Sequence, residues 1–124
     1  MARYDFVIAG AGLVGLSAAL ALTRQGLNGL IFDRGAVPES FEANAGLVGL
    51  DRSPRVSAIN PVSVKFLSQL GIDPAFFDQA GGLFSAITVW DGDGSGELSF
   101  PASGYIVENH RLLGVLFRQI CQPP

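Results

Sequence analysis

The stretch Tyr4–Leu22, YDFVIAGAGLVGLSAALAL, changes character twice within nineteen positions. Tyr4–Ala9 is a short, mostly apolar run, as expected of a strand buried on both faces. Gly10–Gly15 is a turn, and Leu13 to Gln25 reads as a helix rich in Ala and Leu that Gly26 closes. Leu27–Asp33, LNGLIFD, is a second strand. The three pieces make a β-α-β unit, whose crossover implies parallel, right-handed pairing. The helix is apolar almost all round, with only Ser17, Thr23, Arg24 and Gln25 polar, so it needs cover on more than one side.

Inside that unit, Gly10-Ala11-Gly12-Leu13-Val14-Gly15 spells G-x-G-x-x-G, with the small Ala19 one helical turn beyond. A Gly-rich chain produces this pattern by chance, and the alternative is a packing element that binds nothing. Context favours a ligand: the pattern follows a strand, opens a helix, and Asp33 ends the next strand. Each position then has a physical task. Gly10 permits the tight turn, Gly12 lets backbone approach a pyrophosphate, and Gly15 lets the helix lie close to the strand. Free amides near Leu13 and Val14, at the positive end of the helix dipole, face the negative charge. Asp33 accepts hydrogen bonds from a ribose 2′-hydroxyl and repels a 2′-phosphate. The fingerprint alone does not separate FAD from NAD.

Composition narrows the remaining classes. The chain has 124 residues, 48% hydrophobic and 15% charged, with 16 Gly and a net charge of −3. Scarce charge and abundant apolar residues exclude a disordered chain. Lys65 is the single lysine and the arginines are scattered, so there is no basic patch for nucleic acid. Cys121 is the one cysteine, which rules out an intrachain disulfide or thiolate cluster and makes a reducing compartment the default. Phe6 to Thr23 carries no charge and follows Arg3, as a membrane span or signal peptide would. Asp5 directly before it, its strand-like opening and its three glycines, each weakening a helix by up to about 1 kcal/mol, argue instead for a cytoplasmic protein.

Further along, Pro38–Pro54 reads as a long loop with a short ordered piece at Gly46–Leu50. Pro61–Leu70 has helical spacing and ends at Gly71, and Pro74–Ala80 is a second short helix. Leu83–Asp91 and Glu97–Phe100 flank Gly92–Gly96 as a β-hairpin. Tyr105–Val107 is a separate extended piece, and Asn109–Ile120 an amphipathic helix. Asp91–Gly96 mimics the start of an EF-hand loop, but position twelve is Ala102 and the flanks read as strands. His110 is read as a surface residue of the last helix's first turn, and Trp90 as a strand packing residue. Neither Ser17 nor Cys121 has the neighbours a nucleophile needs.

After an NAD-binding β-α-β unit another β-α unit usually follows; here the order is a long loop, Arg55-Val56-Ser57-Ala58-Ile59-Asn60, a helix and a hairpin. Taken in order, YDFVIAGAGLVGLSAALAL, FDR, RVSAIN with VKFLSQLGI, ITVWDGDGSGELSF and GYIVENHRLLGVL resemble the FAD-dependent aromatic-ring hydroxylases. The resemblance covers essentially the whole chain. It is closest to the ubiquinone-biosynthesis branch and more distant to p-hydroxybenzoate hydroxylase.

The resemblance implies an incomplete, Rossmann-like FAD-binding fold of the glutathione-reductase type with a β-hairpin insertion. It implies that residues 1–124 form the N-terminal part of one FAD-binding domain. Gly10, Gly12, Leu13, Val14 and Gly15 cradle the pyrophosphate, Asp33 binds the adenosine ribose, and Arg34 lies at the adenine end. Arg55 stands near the pyrophosphate and the isoalloxazine, and Asn109 contacts the ribityl region. Other readings stay open: Arg34 as a solvated strand-end charge, Arg55 as a partner of Asp51 or Glu42, and Asn109 as the cap of the last helix.

The implied reaction uses NAD(P)H and O2 to hydroxylate a phenolic, polyprenylated ring. The implied partners are that aromatic substrate, a C-terminal part of the enzyme that carries a second Gly-Asp flavin motif, and other ubiquinone-biosynthesis proteins, with peripheral contact to the inner membrane. No acid, base or metal ligand can be named. An NAD-binding dehydrogenase domain and a non-catalytic dinucleotide-binding fragment are the alternatives.

Overall fold

A computed structural model describes residues 3–35 and 55–122. The expected loop at Pro38–Pro54 and its ordered piece lie outside them. The chain runs β1 (Phe6–Ala9), α1 (Leu13–Thr23), β2 (Gly29–Phe32), β3 (Val56–Ile59), α2 (Pro61–Gln69), α3 (Ala75–Ala80), β4 (Gly81–Trp90), β5 (Glu97–Glu108) and α4 (Asn109–Cys121).

The expected β-α-β unit forms. β1 and β2 pair in parallel, with Phe6 opposite Gly29 and Ala9 opposite Phe32. Both ends of the pair are pinned. At one end Asn28 N–H donates to Asp5 Oδ2 at 3.0 Å, and at the other Gly10 N–H donates to the Phe32 carbonyl at 2.7 Å. α1 ends at Thr23, two residues short of the expected boundary. Its last carbonyls are taken up by Gly26, at φ +82°, and Leu27.

The other three strands form a separate antiparallel sheet in the order β3-β5-β4. β3 lies within the hexapeptide Arg55–Asn60, to which the sequence assigned no element; Val56–Ile59 pair with Tyr105–Glu108 of β5. The expected hairpin is present but longer. β5 runs unbroken from Glu97 to Glu108, so the supposed separate piece Tyr105–Val107 is its second half. The expected strand stops at Phe100, before Pro101. Instead, between the pairs Phe84–Gly104 and Ala86–Pro101, β5 has one residue more than β4, and the strand continues through this bulge.

α2 starts as a helix should: the Asn60 side chain accepts from Ser63 N–H at 2.8 Å and Pro61 fills the first turn. α3 is held against β5 by a hydrogen bond from the Tyr105 hydroxyl to Asp78 Oδ1 at 2.7 Å. The core gathers Leu16 and Leu20 of α1, Leu67 of α2, Leu70 and Ile72 just after it, Phe77, Val107, and Leu112 and Leu116 of α4. α1 therefore packs on α4, while Val14 in its first turn is 83% exposed. Trp90, expected to pack, ends β4 at 67% exposure. No helix among the described residues is long and apolar enough to cross a membrane.

Leu116 is wholly buried where α4 meets the core. Leu116→Ala should cost about 2–5 kcal/mol of unfolding free energy, read as a lower urea midpoint by circular dichroism.

Candidate functional site

The turn between β1 and α1 depends on two glycines for different reasons. Gly10 has φ +107°, a backbone state that side chains disfavour. A Cβ at Gly15 would overlap the carbonyl oxygen of Gly10, so α1 approaches the turn only because position 15 has no side chain. Gly12 differs: at its extended φ of −79° a Cβ would meet nothing within 4 Å. The space in front of Gly12 is open.

Gly12 is also the N-cap of α1, and no side chain caps that helix. The first intrahelical bond runs from Leu16 N–H to the Gly12 carbonyl at 2.9 Å. The amides of Leu13, Val14 and Gly15 thus precede the ladder and need an acceptor from outside the helix. With no acidic residue in the first turn, the positive end of the helix is not neutralised from within. A helix start of this kind can take an anion such as a pyrophosphate.

Asp33 follows β2 and turns back over this helix start. Its Oδ2 accepts from Ala11 N–H and its Oδ1 from Gly35 N–H, both at 2.8 Å. The Gly35 amide and then the Ala11 amide hold the carboxyl below its ordinary range, against a smaller opposing effect of desolvation, with some help from the neighbouring Arg34 cation. Each carboxylate oxygen has room for two donors. One site per oxygen is used by the backbone, which leaves capacity for two ribose hydroxyls. Arg34 is exposed at the strand end.

The remaining two candidates sit together elsewhere. Arg55 immediately precedes β3, and its carbonyl accepts from Asn109 N–H at 3.0 Å. Ser57 Oγ donates to Asn109 Oδ1 at 2.6 Å. Asn109 is therefore not the cap expected as its alternative role. Glu108 holds the N-cap position of α4, and the Asn109 side chain is engaged across the sheet by β3. The suggested carboxylate partners of Arg55, Asp51 and Glu42, lie outside the described residues. The structure thus makes two groups, Gly10–Gly15 with Asp33 and Arg55 with Asn109, related through the packing of α1 on α4.

Sequence reasoning missed Ala11 and Ser57. Ala11 contributes only a backbone amide, which no residue type signals. Ser57 was legible in principle, as the polar residue that alternates inward in a strand of period two.

Two decoys resolve. Asp91–Gly96 is a hairpin turn between β4 and β5, with Asp91 N–H bonded to the Gly96 carbonyl at 2.8 Å and Gly94 at φ +77°. His110 is exposed in the first turn of α4 and lies 3.5 Å from Glu108.

A family model described as FAD dependent oxidoreductase matches residues 5–112. The fold is similar to that of 2,6-dihydroxypyridine-3-hydroxylase from Arthrobacter nicotinovorans, with TM-score 0.59 and 20% identity over 94% of this chain and 26% of that one. It is similar to p-nitrophenol 4-monooxygenase from Pseudomonas putida, with TM-score 0.60 and 19% identity over 92% of this chain and 28% of that one. It also matches HpxO of Klebsiella pneumoniae, a structure with FAD and uric acid, at TM-score 0.56 and 17% identity over 90% of this chain and 28% of that one. At these identities the likeness is one of fold. The chain spans about a quarter of the length of these structures.

The two glycines should separate in a denaturation experiment. Gly15→Ala should lower stability by about 1–3 kcal/mol, as overpacking does, while Gly12→Ala should leave the unfolding midpoint nearly unchanged. Asp33 supplies a pH test. Because its folded pKa is depressed, its stabilisation is complete above the ordinary Asp value of about 3.9 and is lost as pH falls through the lower folded value. The stability gap between the native chain and Asp33→Asn should be constant near neutrality and shrink in acid.

Proposed function

The chain belongs to the FAD dependent oxidoreductase family, and on that premise we propose that it is the FAD-binding portion of a flavin hydroxylase. The substrate is a phenolic, polyprenylated ring of the ubiquinone-biosynthesis type, and NAD(P)H and O2 are the co-substrates. The observation that carries the reading is the bare face of Gly12 beneath the uncapped start of α1, flanked by a carboxylate that is anchored yet retains acceptor capacity. The ordered motifs RVSAIN, VWDGDGSG and IVEN support the hydroxylase branch.

FAD, when bound, supplies the redox chemistry that links a nicotinamide reductant to O2 and an aromatic ring. This chain's residues bind and orient. Leu13, Val14 and Gly15 offer amides to the pyrophosphate across the open face of Gly12. Asp33 accepts from the adenosine ribose, with Arg34 beside it. Arg55 and Asn109 hold the ribityl and isoalloxazine end. The aromatic substrate, the remaining part of the enzyme and contact with the inner membrane complete the proposal.

An NAD-binding dehydrogenase domain is disfavoured by a specific feature. Among the described residues, the elements that follow β2 build an antiparallel three-stranded sheet and no further parallel β-α unit.

Titration of the chain with FAD, followed by quenching of flavin fluorescence, tests this. FAD should saturate the protein, FMN, which lacks the adenylate half, should bind at least about tenfold more weakly, and Gly12→Glu should abolish binding while leaving the fold intact. Tighter binding of NAD+ than of FAD would overturn the reading.

A further inference from the structure

We propose that Ser57 is a positioning residue for the cofactor site, fixing the carboxamide of Asn109 so that position 109 presents a hydrogen-bond donor to the ligand. This rests on the preceding assignment of FAD to the site. β3 alternates: Val56 and Ala58 are exposed, while Ser57 and Ile59 are half-buried on its inner face. Ser57 stands opposite Val107, which is 1% exposed, and Asn109 follows two residues later.

From that inner face the Ser57 hydroxyl donates to Asn109 Oδ1 at 2.6 Å, while the Asn109 main-chain N–H is held by the Arg55 carbonyl at 3.0 Å. Backbone and side chain of Asn109 are thus both tied to β3. An asparagine carboxamide has one accepting end and one donating end. The serine takes one of the two acceptor sites of Oδ1 and fixes which way the carboxamide faces, so that Nδ2, which only donates, is the end not bonded to β3. Position 109 therefore favours an acceptor, such as a polyol hydroxyl oxygen or a ring carbonyl. A free carboxamide would rotate and take a donor or an acceptor alike.

Two measurements on the full chain test this. The first needs no cofactor. In the native protein the Asn109 Nδ2 protons should give a dispersed pair of side-chain amide resonances by NMR. Ser57→Ala should move them towards those of an exposed asparagine, and Ser57→Thr, which keeps the hydroxyl, should restore them.

The second is a double-mutant cycle read by FAD titration. Ser57→Ala should weaken binding roughly fivefold, the scale of one hydrogen bond. It should have no further effect in an Asn109→Ala background. Unchanged Asn109 amide resonances in Ser57→Ala overturn the proposal. So does a Ser57→Ala effect of equal size in both backgrounds, because the serine would then act without the asparagine. A native chain that ignores FAD but shows the serine-dependent amide shift supports the orientation of Asn109 and overturns the cofactor assignment instead.

Discussion

The hydrogen bond from Ala11 N–H to the Asp33 carboxylate, 2.8 Å long, closes a circuit on which the rest of the structure depends. Parallel strands cannot be joined by a short turn, so β1 must hand over to α1, and α1 must return the chain to the start of β2. The two strands then end side by side, and the carboxylate at the end of the second reaches the turn that leaves the first. The circuit closes only if α1 lies low over that turn, and it does so because Gly15 sits directly against the Gly10 carbonyl. A larger residue there would lift the helix and carry the Ala11 amide away from Asp33. Packing and ligand chemistry are one constraint here, since the same descent aims the free amides of α1 at the open face of Gly12.

A second constraint works through α4. Leu112 and Leu116, four residues apart on one face of α4, meet Leu16 and Leu20 of α1 in the core. α4 follows directly from β5, and the β5 ladder fixes β3 with Val56 opposite Glu108. The position of Arg55 and Asn109 relative to the glycine turn is therefore set by helix packing and strand register together. The Asn109 side chain, for its part, is tied to Ser57 of β3.

The β-α-β unit was legible because its information is local: a glycine spacing, an apolar run and a carboxylate at a strand end. The start of α2 was legible for the same reason, with Pro61 in its first turn. What was not legible is long-range. Pro101 and Gly104 look like strand breakers in sequence, yet a bulge absorbs the proline and β5 continues to Glu108. β3 is four residues long and acquires strand character only from its partner. Asn109 has good capping chemistry, but the Ser57 hydroxyl, 52 positions away, captures its side chain. Trp90 shows the limit of reasoning from residue type, since this large aromatic ends β4 beside the hairpin turn and stays mostly exposed.

The hairpin carries one more consequence. Among the described residues β4 forms one outer edge of its sheet, and no residue from Gly81 to Trp90 is charged. Leu83, Val89 and Trp90 are mostly exposed along it, as is Leu98 on the adjoining strand. Proteins usually guard such a margin with lysine or proline, which deter unwanted strand addition. β4 has no such gatekeeper, so concentrated solutions of the chain will tend to self-associate margin to margin, and one lysine on the outward side of β4 is the most economical way to keep the molecule monodisperse.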